Sequence, residues 1–289
     1  MRKVVVVPLV TSFLIVACSG TSPKMANEAP MLLRSALEGR DARVGRVETT
    51  ASSMTLLITD NSGRPPITRL RYAPSTKPES PTTDQIDINL ITRPIEDFDS
   101  ESYLSLLSET SDNCRGQEWA ITAEAVSSTA TKTIRTCGDS RDVFLEKSPL
   151  TPITAPWEPR AFRTVWEQMI TTSSSTGILS LTYRADSVTA TPASNNEDEH
   201  CAPLITRTLS DPDVTSQCLP QTSRTARTLD LNTFDANKAW SWTQVLASQE
   251  GFSLGEETSV TFSADGENTV LVVMQDAHRS ASTITTIEP

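Results

Sequence analysis

The stretch Pro159-Arg160-Ala161-Phe162-Arg163-Thr164-Val165-Trp166-Glu167-Gln168-Met169-Ile170 decides how the chain is read. Phe162, Val165, Trp166, Met169 and Ile170 recur at helical spacing and form one apolar face. Pro159 suits the first turn, where a missing N–H costs nothing. A shorter copy lies upstream in Pro30-Met31-Leu32-Leu33-Arg34-Ser35-Ala36-Leu37. There Leu33, Ala36 and Leu37 correspond to Phe162, Val165 and Trp166 at a constant offset of 129. A chain that starts twice in this way is expected to be two similar halves.

The flanking segments repeat as well. Strands are expected at 44–50, 54–59, 67–72 and 86–92, and again at 177–184, 188–191, 202–209 and 224–232. Each half then shows Phe-Asp ahead of a second helix: Phe98-Asp99 before Tyr103, Leu106 and Leu107, and Phe234-Asp235 before Trp242, Val245 and Leu246. The two aspartates are expected N-caps, each with its phenylalanine as a staple, and the helical faces match at an offset of 139. Further strands close the halves, at 118–125, 131–136 and 143–146, then at 258–263, 269–275 and 281–287. Asp265-Gly266 between alternating runs is the strongest hairpin signal. The expected fold is α+β, with two similar domains at 29–148 and 159–289, each an antiparallel sheet packed by two short helices. The proline-rich segment 149–158 is the expected linker.

Composition narrows the function classes. Ser and Thr supply 74 of 289 residues, which favours strands and loops over long helices. The net charge of -11 does not neutralise phosphates, so nucleic acid is not an expected partner. No other segment approaches the length of apolar chain that crosses a bilayer once residues 1–17 are set aside.

Those residues carry an address. Arg2 and Lys3 precede an apolar run from Val4 to Ala17, which ends in Ile15-Val16-Ala17-Cys18. The ending resembles the bacterial lipobox. The resemblance implies a signal peptide at 1–17, a diacylglyceryl group on the Cys18 thiol, and Cys18 as the first mature residue. It also implies attachment to the cell membrane on its extracytoplasmic face, with 18–28 as a flexible tether. The order of elements and the bias of 19 Arg to 6 Lys are similar to two-domain envelope lipoproteins of unknown function in high-GC Gram-positive bacteria.

Four cysteines remain, and an even number in an exported chain points to disulfides. Cys114–Cys137 and Cys201–Cys218 are the expected pairs, because each closes a short local loop. A four-cysteine zinc site lacks C-x2-C spacing.

Catalytic signatures are sparse. Ser-x-x-Lys, H-E-x-x-H, Walker A and G-x-G-x-x-G are all missing from the sequence. His200 ends the run 195–200, which reads as a solvated acidic loop, and His278 reads as a turn residue. Asp211-Pro212-Asp213 reads as part of a disulfide-closed surface loop. No metal and no cofactor is expected. Trp240 is two positions from Trp242 and so points elsewhere; with Trp157 beside the linker, it either docks a partner or covers the interface between halves. The expected function is a non-catalytic binding or structural module for a protein or apolar ligand, held to the membrane through Cys18. The alternative is an envelope hydrolase or carbohydrate-processing enzyme using paired carboxylates, of which Glu96, Asp97 and Asp99, or Glu256 and Glu257, are examples.

Overall fold

The computed structural model describes residues 24–74, 81–173, 177–192, 201–220, 227–266 and 268–286, with the backbone alone for Lys24, Pro192, Cys201 and Pro220. The expected signal peptide, Cys18 and the acidic run ending at His200 lie outside the described residues.

The first half runs α1 (Lys24–Leu37), β1 (Ala42–Thr50), β2 (Met54–Asp60), β3 (Ile67–Tyr72), β4 (Thr82–Ile86), β5 (Arg93–Pro94), a 3-10 turn (Ile95–Asp97), α2 (Ser100–Asn113), β6 (Trp119–Ala125), β7 (Thr131–Cys137), β8 (Ser140–Leu145) and β9 (Ser148–Pro149). The second runs α3 (Pro159–Thr172), β10 (Ile178–Arg184), β11 (Ser187–Pro192), β12 (Cys201–Thr208), β13 (Asp213–Pro220), α4 (Ala236–Glu250), β14 (Ser259–Ala264), β15 (Thr269–Gln275) and β16 (Ser280–Thr286). The strands build two antiparallel sheets, ordered β4-β3-β2-β1-β6-β7-β8-β9 with β5 also on β1, and β13-β12-β11-β10-β14-β15-β16. The fold is thus α+β, with two similar sheet domains.

Local chemistry sets the repeat. Asp99 accepts the Ser102 N–H and caps α2, while Asp235 accepts the Asn237 N–H and caps α4. Phe98 and Phe234 are buried in front of the caps. The caps are 136 positions apart. The first strand of each sheet carries a bulge at the matching place, between Val44 and Arg46 in β1 and between Ile178 and Ser180 in β10, 134 positions apart. The first helices, each of 14 residues, are offset by 135. The register is therefore nearly constant at these places and the offset of 139 is corrected, while at 129 the buried Leu33, Ala36 and Leu37 fall on the buried Phe162, Val165 and Trp166. The offset of 139 placed Val245 on the packed face of α4, whereas Val245 is 49% exposed.

Three further expectations change. The helix expected from Pro30 begins at Lys24, so the tether expected through residue 28 ends earlier. Met25 and Ala29 are fully buried, and their packing offsets the hydrogen bond that Pro30 removes inside the helix. The strand expected at 86–92 ends at Ile86 as β4. The following residues cross over β1 with Leu90 against Gly45, where no Cβ fits, and Ile91 is buried. The crossing brings Arg93 and Pro94 beside Val44 and Arg43 as β5. In the second half the strand expected at 224–232 is replaced by β13, which pairs with β12 along its whole length; only Leu229 bridges to Ile178. The exposed turn at Asp211-Pro212 joins β12 to β13 as a hairpin.

The expected linker is packed rather than loose. The Ile153 N–H donates to Leu209 O, and Pro156 O accepts the Tyr183 hydroxyl. Arg207 is fully buried and donates to Thr151 O, Thr208 O and Gln168 Oε1. Burial pulls its pKa down to about 10. One apolar core runs through the second half and takes in Val126, Ala130, Val143, Leu145 and Leu150 of the first. Its edge holds a charge cluster. Asp213 lies 3.2 Å from Lys132 Nζ and 2.7 Å from Arg141 Nη2, and Lys132 also faces Glu124 at 3.8 Å.

Candidate functional site

Along α1, Pro30, Leu33, Arg34, Leu37 and Glu38 share one side of the helix, spaced for consecutive turns. Across from them stand Ile95, Phe98, Ser100, Glu101 and Leu104. Between the two rows lies an open groove of about 370 Å³. Its floor is apolar: Leu33, Leu37 and Phe98 are buried, and Ile95 and Leu104 are half-buried. Its rim is charged, with Arg34, Glu38 and Glu101 exposed. Met31, 55% exposed, lines a neighbouring hollow on the same helix with Asn27 and Ser35.

The same slot in the second half is filled. Five residues past its cap, α4 carries Trp240 where α2 carries Leu104; seven past, Trp242 stands where α2 has Leu106. Trp240 packs edge-on to Phe162 with ring centroids 5.4 Å apart, and Trp242 stacks on Phe234 at 5.2 Å. Trp166 meets Phe234 at 4.9 Å, and its indole N–H donates to Leu231 O. The rim is tied by Arg163, which donates to Asn237 Oδ1 at 3.2 Å. With Leu106 beside Phe98 instead, the first half keeps a second, small pocket of about 20 Å³, space for one water.

Trp240 and Trp157 thus lie half-buried, with their faces engaged inside the fold. Trp157 lies 5.4 Å from Tyr183 and donates its indole N–H to Gly255 O at 3.2 Å. The disulfide Cys114–Cys137 ties the end of α2 to β7. Cys218 is disulfide-bonded, and the register sets Cys201 two positions from it on the adjacent strand; the Cys201 side chain lies outside the described residues. His278 sits exposed in the turn between β15 and β16.

Acid groups beside the groove are held charged. Lys147 lies 2.8 Å from Asp99, and this contact with the Ser102 N–H holds the Asp99 carboxyl at about 2. Asp84 is lowered by Arg69 and Asp276 by the His278 N–H. Glu96, Asp97, Glu256 and Glu257 fall on separate elements: the first pair on the 3-10 turn after β5, the second ahead of β14. Among the described residues no group of three His, Cys, Asp or Glu side chains gathers to hold a metal, and no helix is long and apolar enough to cross a membrane. The sequence marked Leu33 and Leu37 as packing positions and Asp99 as a cap, but it did not mark Ile95, Glu101 and Leu104 as groove wall. The signal available was the pair of Trp-to-Leu differences counted from the caps.

No family model matches the chain, and no curated protein matches it. Solved structures that resemble it include a chain of the PCNA2–PCNA3 complex from Sulfolobus tokodaii, at 9% identity over 90% of this chain and 95% of that one, with a TM-score of 0.18. PCNA from Thermococcus kodakaraensis is 12% identical over 90% and 96% of the two chains, also with a TM-score of 0.18. The expected partner set was the membrane through Cys18, an unidentified protein or small apolar ligand, and no nucleic acid. These neighbours, PCNA chains of which one is in a complex with another PCNA, correct its last term, and the exclusion of nucleic acid is withdrawn. A TM-score of 0.18 gives no likeness from which to argue a substitute.

Proposed function

We propose that this chain is a lipid-anchored extracytoplasmic envelope protein that works as a non-catalytic binding module through the groove between α1 and α2. The observation that carries the binding role is the groove itself, an apolar floor with a charged rim, where the corresponding helix of the second half packs Trp240 on Phe162. Interaction sites combine these two features, an apolar centre and a polar margin. The lipobox ending at Cys18 supports the anchor. Five residues separate Cys18 from the start of α1, six steps of about 21 Å in all at full extension, which keeps the groove close to the attachment point. Carboxylates held charged, such as Asp99, support binding over general-acid chemistry.

Two measurements test the reading. In cells fed a labelled fatty acid, the wild-type chain takes up label and Cys18→Ala does not; label in the variant refutes the anchor. A photoreactive residue at Met31, beside the groove, gives a discrete adduct in the native envelope, whereas one at Val245 does not. Equal adducts from both positions refute the groove as the binding surface.

A further inference from the structure

We infer that the groove between α1 and α2 receives an aromatic side chain carried next to a positive charge on a partner protein segment. The inference rests on the groove reading and names its occupant. The argument comes from the molecule's own second copy. The caps Asp99 and Asp235 fix a one-to-one count along α2 and α4. At the two positions where that count gives Leu104 and Leu106, α4 carries Trp240 and Trp242. The second half uses Trp240 to close the space between its helices, against Phe162 of α3, and stacks Trp242 on Phe234 ahead of the cap. The first half has the same helices, the same cap and the same buried phenylalanine, Phe98, but two side chains that fall short of an indole. The missing bulk reappears as the groove at Leu104 and the pocket at Leu106. A side chain entering from outside therefore meets a surface whose counterpart is built to pack an indole.

The rim specifies charge. Glu38 and Glu101 flank the groove and only Arg34 opposes them, so the margin carries one excess negative charge. A basic group beside the aromatic ring answers that excess, and at an exposed rim it adds selectivity more than affinity. The volume of about 370 Å³ is near the small end of ligand sites, which suits one side chain and its immediate backbone rather than a whole folded surface.

The test uses the full chain in lipid nanodiscs, with leucine methyl groups observed by NMR. The probes are tryptamine (an indole with an ammonium group), indole-3-acetate (the same ring with a carboxylate) and hexylamine (the ammonium group without the ring). Tryptamine is expected to shift the methyl signals of Leu33, Leu37 and Leu104 saturably, with a Kd on the order of 1 mM, as befits a fragment. Indole-3-acetate is expected to bind roughly threefold or more weakly, and hexylamine roughly tenfold more weakly, as rim charge and ring burial respectively require. Leu104→Trp supplies the ring internally and should abolish the tryptamine response; Leu104→Phe is the smaller plug should the tryptophan variant misfold. Hexylamine binding as well as tryptamine, or no saturable shift at these leucines, overturns the aromatic occupant. If that happens while Met31 still gives its discrete adduct, the groove remains a binding surface for a different occupant; if the adduct is also lost, the groove reading falls with it.

Discussion

Replacing Asp213 by alanine is expected to loosen the joint between the halves by about 3 kcal/mol. Lys132 is the reason. Its side chain is 7% exposed, and its ammonium group has Asp213 at 3.2 Å and Glu124 at 3.8 Å. At an effective dielectric of about 20, the nearer contact is worth about 5 kcal/mol before desolvation is counted. Removing one partner of a buried pair typically costs about 3–5 kcal/mol, because the other charge stays buried. The remaining Glu124 contact places the expected loss at the lower end. Arg141 is 35% exposed and keeps Asp211 at 3.6 Å, so its share is below about 1 kcal/mol. The assay is urea unfolding followed by far-UV circular dichroism, with the midpoint and slope compared. Adding Lys132→Met to Asp213→Ala should restore about 2 kcal/mol, since the stranded charge is gone. A loss below about 1 kcal/mol, or a second substitution that adds to the first instead of relieving it, would show that the ammonium group is not held by Asp213.

Three other outcomes follow from the geometry. Gly45→Ala should destabilise by about 1–3 kcal/mol, because the added Cβ runs into Leu90 and comes within 3.2 Å of Ile91 O; a thermal melt unchanged within error would contradict the crossing described. Asp99 has a folded pKa of about 2 against an ordinary 3.8, so its contribution is full above about pH 5 and is lost as pH falls through 4 towards 2. After screening at this half-exposed pair it amounts to about 1 kcal/mol, and Asp99→Asn should flatten that part of the stability–pH curve. Cys114→Ser opens a loop of 23 residues and should cost about 3 kcal/mol in chemical denaturation, and the wild-type protein under reductant should fall at least as far, since reductant also opens the disulfide of Cys218.

What the sequence disclosed was mostly local. The aspartate caps need only three consecutive residues, and the Asp265-Gly266 hairpin only the runs beside it; both are where they were expected. The alternation in Ile86-Asp87-Ile88-Asn89-Leu90 is genuine, yet it serves a crossing, because Gly45 leaves room for Leu90 on top of β1. That room is a property of another strand and cannot be read from the segment itself. The start of α1 was obscured by Pro30, whose usual place is a first turn; the packing of Met25 and Ala29 into the core overrides it. The groove was hidden for a different reason. It is a shortage of volume relative to α4, and it appears only when the two helices are aligned by their caps rather than by their apolar faces.

The shared core has a temporal side. A chain synthesised N-terminus first delivers Val126, Val143, Leu145 and Leu150 before the residues from Phe162 to Val214 that cover them. During that interval the first half carries a bare apolar strip and a Lys132 ammonium group that has Glu124 but not yet Asp213. Maturation therefore has an order of events. The first half can form its sheet early, but it reaches its final solubility only when the second half has emerged, which makes the interval between them the time of greatest need for a chaperone.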